Sequence, residues 1–436
     1  MTRSRQYTLL LGDILILALS FMLMVAIRFQ PPELHEAITT QMGPFAVLFV
    51  LWILVFFIFN LYDLRKINPN PRNIGQLVLA MSVNIIVGGF LFYLFPFFGI
   101  SPKINLLLVG IISFVLLVIW HRLFYLIFNS VIARKIAIVG TSDAVEQFIH
   151  KIKEYPELGK VVAQYDSVSA MQKAMESDLP AIDLLIAQTH TPKELLSVMQ
   201  KLQCQVVSLL EAYEELLAKI PVTLVTEEYA MHILAKQEGF GYTLVRRVVE
   251  DVLAVVLLII TAPFSAITIG AIYFEDHGPI FIRQKRVGKN GRLFSLYKFR
   301  SMIAAGKDGL AETNGAVWSE GAHDPRITKV GQVIRKLHID EIPQMWNVIK
   351  GDLALVGPRP ERPEFTEKLE AEIPYYYVRH TIQPGFTGWA QIKFRYARTI
   401  LDSQEKLEYD LYYLANRNLL LDLGIILKTV QIIFTH

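Results

Sequence analysis

Residues 252–274 read VLAVVLLIITAPFSAITIGAIYF, an uncharged stretch long enough to cross a bilayer, for which roughly 20 apolar residues suffice. Cations flank it on both sides. Arg246 and Arg247 precede it, and Arg283, Lys285, Arg286, Lys289, Arg292, Lys298 and Arg300 follow, with no acidic residue between Arg283 and Arg300. Excess Lys and Arg marks cytoplasmic flanks, so both ends are expected on one side of the membrane. Pro263, near the middle, removes a backbone donor and kinks or breaks a helix. Charge and proline together predict a re-entrant helix over 246–274 that enters, turns at Pro263 and leaves on the side it came from. Protein groups or water must then satisfy the backbone atoms freed at the turn.

The rest of the chain supports a membrane setting. Its 436 residues are 53% hydrophobic and 19% charged, with a mean hydropathy of +0.38, unlike an ordinary soluble protein. Residues 1–133 hold eight Lys/Arg and four Asp/Glu, so most of the charge lies beyond them. Four windows, Tyr7 to Ile27, Met42 to Tyr62, Gln76 to Phe98 and Ile104 to Phe128, approach the length of a membrane span. The first lacks a small-residue cleavage site and is followed by three more, so it reads as a retained helix rather than a signal peptide. Arg3, Arg5, Arg65, Lys66 and Arg72 lie at the start and in the second loop, against Glu33 and Glu36 in the first, which puts both ends of this unit in the cytoplasm. Asp13 sits close to that cytoplasmic end, where a carboxylate is expected to reach water rather than act within the membrane.

From Arg134 onward short β-like runs (KIAIVG, VVAQYD, DLLIAQ, QVVSLL) alternate with helical segments and predict a small parallel α/β domain. The turn GTSDAV after its first strand has one glycine where a dinucleotide-binding turn uses three, so the backbone cannot approach a pyrophosphate closely. Asp166, after the second strand, is too little by itself. A structural or regulatory role is the expectation. The single cysteine, Cys204, excludes an intramolecular disulfide and a Cys-rich zinc site, and fits a reducing cytosol. A net charge of +3 is uninformative globally, because the basic run after residue 282 is local.

Chemistry concentrates in that run and beyond it. Its cations alternate with Gly288, Gly291, Phe294, Tyr297 and Phe299, which suits phosphate oxygens or anionic lipid head groups. The adjoining membrane segment argues against nucleic acid. Asp340-Glu341, in RKLHIDEIPQ, opens what reads as a helix ending at Gly351. Asp340 as a helix N-cap is the simplest explanation of such a pair. Its surroundings point elsewhere: cations precede it, and Gly357-Pro358-Arg359-Pro360 follows as a rigid turn presenting one guanidinium. Two adjacent carboxylates can also hold a hard divalent ion with phosphate oxygens.

GPIFIRQKRVGKNGRLFSLYKFRSM, DPRITKVG, IRKLHIDEIPQMWNVIKGDLALVGPRPE, PGFTGWAQI and EKLEYDLYYLAN, in this order, closely resemble the bacterial sugar transferase family, the monotopic polyprenyl-phosphate phosphoglycosyl transferases. The preceding helices and α/β domain resemble the long-form members that prime exopolysaccharide or O-antigen synthesis. The resemblance implies three domains: a four-helix transmembrane domain (1–133), a degenerate Rossmann-like parallel α/β domain (134–239), and a mixed, mainly helical catalytic domain with a re-entrant helix (240–436). It implies transfer of a hexose-1-phosphate from a UDP-sugar to undecaprenyl or another polyprenyl phosphate, with release of UMP. By the same resemblance Asp340 is the nucleophile that forms a covalent phosphosugar enzyme, and Glu341 positions magnesium or the acceptor. Both residues are the expected Mg2+ ligands. Arg283, Lys298, Arg300, Arg335 and Arg359 are candidates for phosphate contacts, and Asp410 matches a further family acid. Thr261-Ala262-Pro263 departs from the Ser-Pro common in the family and leaves proline to make the bend alone.

The expected location is the bacterial inner membrane, with the catalytic domain on its cytoplasmic face. The segments around Tyr375 to Tyr377 and Leu419 to Phe434 are expected to lie in the interface plane. A homodimer through the middle domain is a further expectation. Two other classes compete: a membrane-anchored nucleotide-sugar dehydratase, which needs the glycine-rich turn missing here, and a non-catalytic lipid-binding scaffold. The sequence does not identify the sugar.

Overall fold

The computed structural model describes residues 2–59, 61–62, 71–94, 102–132, 134–155, 158–174, 181–188, 204–236, 239–303, 324–394 and 399–434. They form two compact units, Met1–Leu209 and Leu210–His436. The loop cations Arg65 and Lys66 lie outside the described residues.

The first unit begins with four long helices, α1 (Thr2–Arg28), α2 (Leu34–Ile58), α3 (Pro71–Leu94) and α4 (Pro102–Ile132). All four are long and apolar enough to cross a membrane. α2 starts earlier than the sequence window, since an amphipathic first turn carrying Glu36 extends the apolar run. Among apolar neighbours, paired polar groups fix which helices meet. Trp52 of α2 donates to the Asn84 carbonyl of α3 at 3.0 Å, and Asn105 of α4 donates to Gln41 of α2 at 2.9 Å. At Gly12 of α1 a Cβ would come within 2.2 Å of the Trp120 ring of α4, so close approach of the two helices requires glycine there. Next to it Asp13 is fully buried, and its Oδ1 lies 3.1 Å from His121 Nε2 on α4. The carboxylate therefore turns inward to a histidine instead of reaching water, because α4 covers the face on which it lies.

β1 (Lys135–Val139), β2 (Lys160–Tyr165), β3 (Leu184–Ala187) and β4 (Gln205–Ser208) form a parallel sheet in the order β2-β1-β3-β4, with α5 (Asp143–Glu154) and α6 (Val168–Ala174) between strands. β3 is buried along its whole length, as expected of a central parallel strand. The turn from β1 into α5 holds Gly140 at φ 140°, where a Cβ would meet Gln188 Oε1 at 2.4 Å. That same oxygen accepts from Ser142 N, so a side chain fills the space over the turn.

In the second unit, residues 210–236 pack through Ile220, Val222, Val225, Ala230 and Ile233 into the same core as Met345, Val348, Leu355, Leu407 and Leu411. They do not belong to the α/β domain expected over 134–239; apolar spacing marks a buried face without saying which core buries it. Lys219 Nζ lies 2.8 Å from Glu408 Oε2, and Ala218 O accepts from Trp389 Nε1 at 2.8 Å. α7 (Glu227–Ala235) closes this segment, with Thr226 as its N-cap.

α8 (Phe240–Asp276) is helical throughout, with Pro263 inside it. Thr261 Oγ1 donates back to Leu257 O at 2.6 Å, on the turn that proline disturbs. Such back-bonding often bends helices, yet the break expected at Pro263 is not formed, and the helix runs unbroken through it. Both ends of α8 are tied to the second unit. Near its start Arg247 donates to Val348 O and Ile349 O, and Glu250 accepts from Leu355 N. At its end Ile272 packs with Phe299 and Ile334, Glu275 accepts from Lys329 N and Val330 N, and Asp276 pairs with Arg300. The stretch between is largely exposed apolar surface, and its length and composition suit a membrane.

Candidate active site

β5 (Phe281–Val287) and β6 (Leu293–Phe299) form an antiparallel hairpin that pairs Ile282 with Lys298 and Arg283 with Tyr297. Alternate side chains in a strand take opposite faces. Phe294, Leu296 and Lys298 therefore share one face, and the first two are buried in the main core. Alongside runs α10 (Gln344–Lys350), locked to β6 by Asn347, whose Nδ2 donates to Ser295 O at 2.8 Å while its Oδ1 accepts from Tyr297 N at 3.0 Å. An amide side chain thus pairs with the open strand edge as another strand would. Sequence reading missed Asn347, because nothing local distinguishes it from a surface residue.

α9 (Lys329–Lys336), capped by Thr328, ends at Leu337. His338, at φ 54°, reverses the chain into a 3-10 turn over Ile339–Glu341. α10 starts only at Gln344, behind Pro343, and no side-chain cap hydrogen bond is made at either point. The expectation that Asp340 caps a helix is therefore corrected: it lies inside the turn, and capping does not explain it. Gly351 does stop α10, at φ 82°.

Glu341 Oε1 accepts from Lys298 Nζ at 2.7 Å and from Arg359 at 2.6 Å. Burial pushes the Glu341 carboxyl up, but the Arg359 and Lys298 cations outweigh it and hold the group well below the usual carboxylate range. Asp340 is buried, and among the described residues its carboxylate makes no hydrogen bond or ion pair. Burial raises its pKa; Lys298 opposes the shift and the Glu341 charge adds to it. Environment thus separates two adjacent carboxyls, as in sites that give such pairs different roles.

Arg359 is held by its backbone. β7 (Ala354–Val356) pairs in parallel with β8 (Gly385–Thr387), and beyond β7 the chain continues to bond across. Gly357 N donates to Thr387 O and Gly385 N donates to Pro358 O. A Cβ at Gly357 would lie 2.6 Å from Gln383 O, so this approach demands glycine. Arg286 donates to Pro360 O at 3.0 Å, and Arg379 donates to Arg359 O at 3.0 Å. Arg379 is in turn paired with Asp410 at 2.8 Å, and both are almost wholly buried. Asp410 lies on α11 (Ile400–Asn416) and acts on the loop through Arg379.

The structure thus brings Asp340, Glu341, Lys298 and Arg359 together. Other predicted residues are engaged elsewhere. Arg300 is buried against Asp276. Arg283, on the opposite hairpin face from Lys298, stacks 5.6 Å from the Tyr297 ring centre. Arg335, in the last turn of α9, acts on Asp340 only through its field. Among the described residues no cluster of three or more His, Cys, Asp or Glu side chains exists to hold a metal. The oxygen donors Asp340 and Glu341 suit magnesium, which commonly takes one or two carboxylates and completes its shell with phosphates and water.

Residues 241–436 match the family described as Bacterial sugar transferase. A UDP-N-acetylgalactosamine-undecaprenyl-phosphate N-acetylgalactosaminephosphotransferase of Aeromonas hydrophila is 42% identical over 194 residues, 44% of each chain. An undecaprenyl-phosphate glucose phosphotransferase of Komagataeibacter xylinus is 28% identical over 69% of this chain and 59% of its own length. The chain therefore spans less than two thirds of either protein. Exopolysaccharide production protein ExoY of Sinorhizobium fredii is 34% identical, and the match covers 83% of it and 42% of this chain. With the matched segment lying within the second unit and holding the dyad, its two clamping cations and the Gly357 loop, the chain belongs to the bacterial sugar transferase family.

Proposed function

We propose that the chain transfers a hexose-1-phosphate from a UDP-sugar to undecaprenyl or another polyprenyl phosphate, giving polyprenyl-diphosphate-sugar and UMP, as a first step in polysaccharide assembly. The observation that carries this reading is a buried, unpartnered Asp340 beside a cation-clamped Glu341. A carboxylate kept free of partners is available as a nucleophile. In the first half-reaction an Asp340 oxygen bonds to the sugar-bearing phosphorus, the bond from that phosphorus to the bridging oxygen breaks, and UMP leaves with the electron pair. In the second, an oxygen of the lipid phosphate bonds to the same phosphorus and Asp340 departs as carboxylate. Lys298 and Arg359 keep unused N–H donors while bound to Glu341, and these can take phosphate oxygens. Magnesium, held by Asp340 and Glu341, would supply neutralisation of phosphoryl charge.

The test is UMP release by membranes carrying the protein, supplied with undecaprenyl phosphate, magnesium and a panel of UDP-sugars. UDP-N-acetylgalactosamine and UDP-glucose head the panel because relatives carry both names. Release with at least one sugar is expected, and release with none would defeat the reading.

The attachment of both ends of α8 to one unit supports the re-entrant reading, since a helix that crossed the bilayer would have to divide that unit between two faces. With Cys204→Ser as background, Leu244→Cys and Asn290→Cys are expected to react with an impermeant thiol reagent from the same, cytoplasmic, side. Labelling from opposite sides would show a crossing.

A further inference from the structure

Gln344, the first residue of α10, is 2% exposed, and its amide Nε2 is sealed from solvent without a hydrogen-bond partner. A sealed, unmet donor is unfavourable, and in a native site it calls for an explanation. Four residues earlier lies Asp340, 8% exposed, whose carboxylate makes no hydrogen bond or ion pair among the described residues. The intervening Ile342 and Pro343 have right-handed helical angles, so the two side chains project from one face of a continuous helical path. A donor and an acceptor of complementary polarity thus sit a turn apart, both buried and unbonded to each other.

We infer that Gln344 is a positioning residue for Asp340, its amide swinging to donate to the carboxylate oxygen that does not attack phosphorus. The inference rests on the nucleophile reading above and assigns the hydrogen bond to one half-reaction. A donor on a carboxylate makes it a weaker nucleophile and a better leaving group. In the second half-reaction the bond from phosphorus to Asp340 breaks, its electron pair returns to the carboxylate, and the Gln344 N–H stabilises the charge as it develops. Release of the sugar phosphate to the lipid is therefore the step that Gln344 accelerates.

Gln344→Met keeps length and volume while removing the donor. In the full-length protein with undecaprenyl phosphate present, it is expected to retain a rapid burst of UMP close to one per enzyme. Steady-state turnover should fall by about tenfold to a hundredfold, the range for a hydrogen bond to a charged group. Covalent phosphosugar adduct should accumulate, visible by intact-protein mass, and the thermal midpoint should stay or rise because the sealed amide is gone. Gln344→Leu, which also lacks the donor and adds no charge, is expected to show the same split if the Met variant does not fold. Unchanged turnover overturns the inference, as does a burst lost in step with turnover or a parallel fall of turnover and midpoint. If the wild-type protein releases UMP and the variant behaves like it, only the role of Gln344 fails. If the wild type releases none with any sugar, the nucleophile reading fails first.

Discussion

Asp340→Asn abolishes UMP release and adduct formation, with a loss of at least about 10^3-fold expected when a nucleophile is removed from an otherwise intact site. Asparagine keeps the shape, and Asp340 has no internal partner to lose, so the site should remain assembled. Stability is expected to move the other way: a neutral amide is easier to bury than a carboxylate whose pKa burial has already raised. The thermal midpoint in detergent should hold or rise while activity vanishes. Glu341→Gln offers the contrast. It removes the negative charge that Lys298 and Arg359 share and leaves two cations facing each other across a neutral amide, so midpoint and activity should fall together. An active Asp340→Asn protein would eliminate the covalent route.

Asp410→Asn is expected to have the largest effect on stability. It strips the counter-charge from Arg379, which is 2% exposed, and breaking a buried pair from one side costs about 3–5 kcal/mol. Arg379 also holds Arg359 O, so the loop presenting Arg359 to Glu341 loosens and turnover falls. The double change Arg379→Met with Asp410→Leu removes both charges and should recover part of the midpoint. Turnover should not return, because Arg359 O still lacks its donor. Thermal melts and UMP release on the three proteins test this. If Asp410→Asn keeps its midpoint and only raises KM for the UDP-sugar, Asp410 touches substrate.

Membrane helices, alternating β and α segments, and the Asp340-Glu341 and Gly357-Pro-Arg-Pro motifs were legible in the sequence because each depends on local pattern. Apolar runs of membrane length, strand-sized runs between turns and glycine or proline at fixed offsets follow from the backbone's own rules. The pairing of cations with partners was not legible. Seven Lys and Arg residues between Arg283 and Arg300 looked alike, and only the pleat of β5 and β6 turns Lys298 toward Glu341 and Arg283 toward Tyr297. Arg300 gave no local sign that it would be spent on Asp276.

By itself the sequence determined the class of this protein: apolar helices with a water-facing portion, and an acidic pair set among phosphate-binding residue types. Tertiary structure decided which of those residues meet. It attached residues 210–236 to the second unit, took Asp340 out of a capping role, sent Asp410 to Arg379 and set Gln344 beside the nucleophile candidate without a partner. The physical reason is range. Helix propensity and hydropathy act within a few residues, whereas burial and ion pairing depend on groups far apart in the chain, such as Lys298 and Arg359 converging on Glu341.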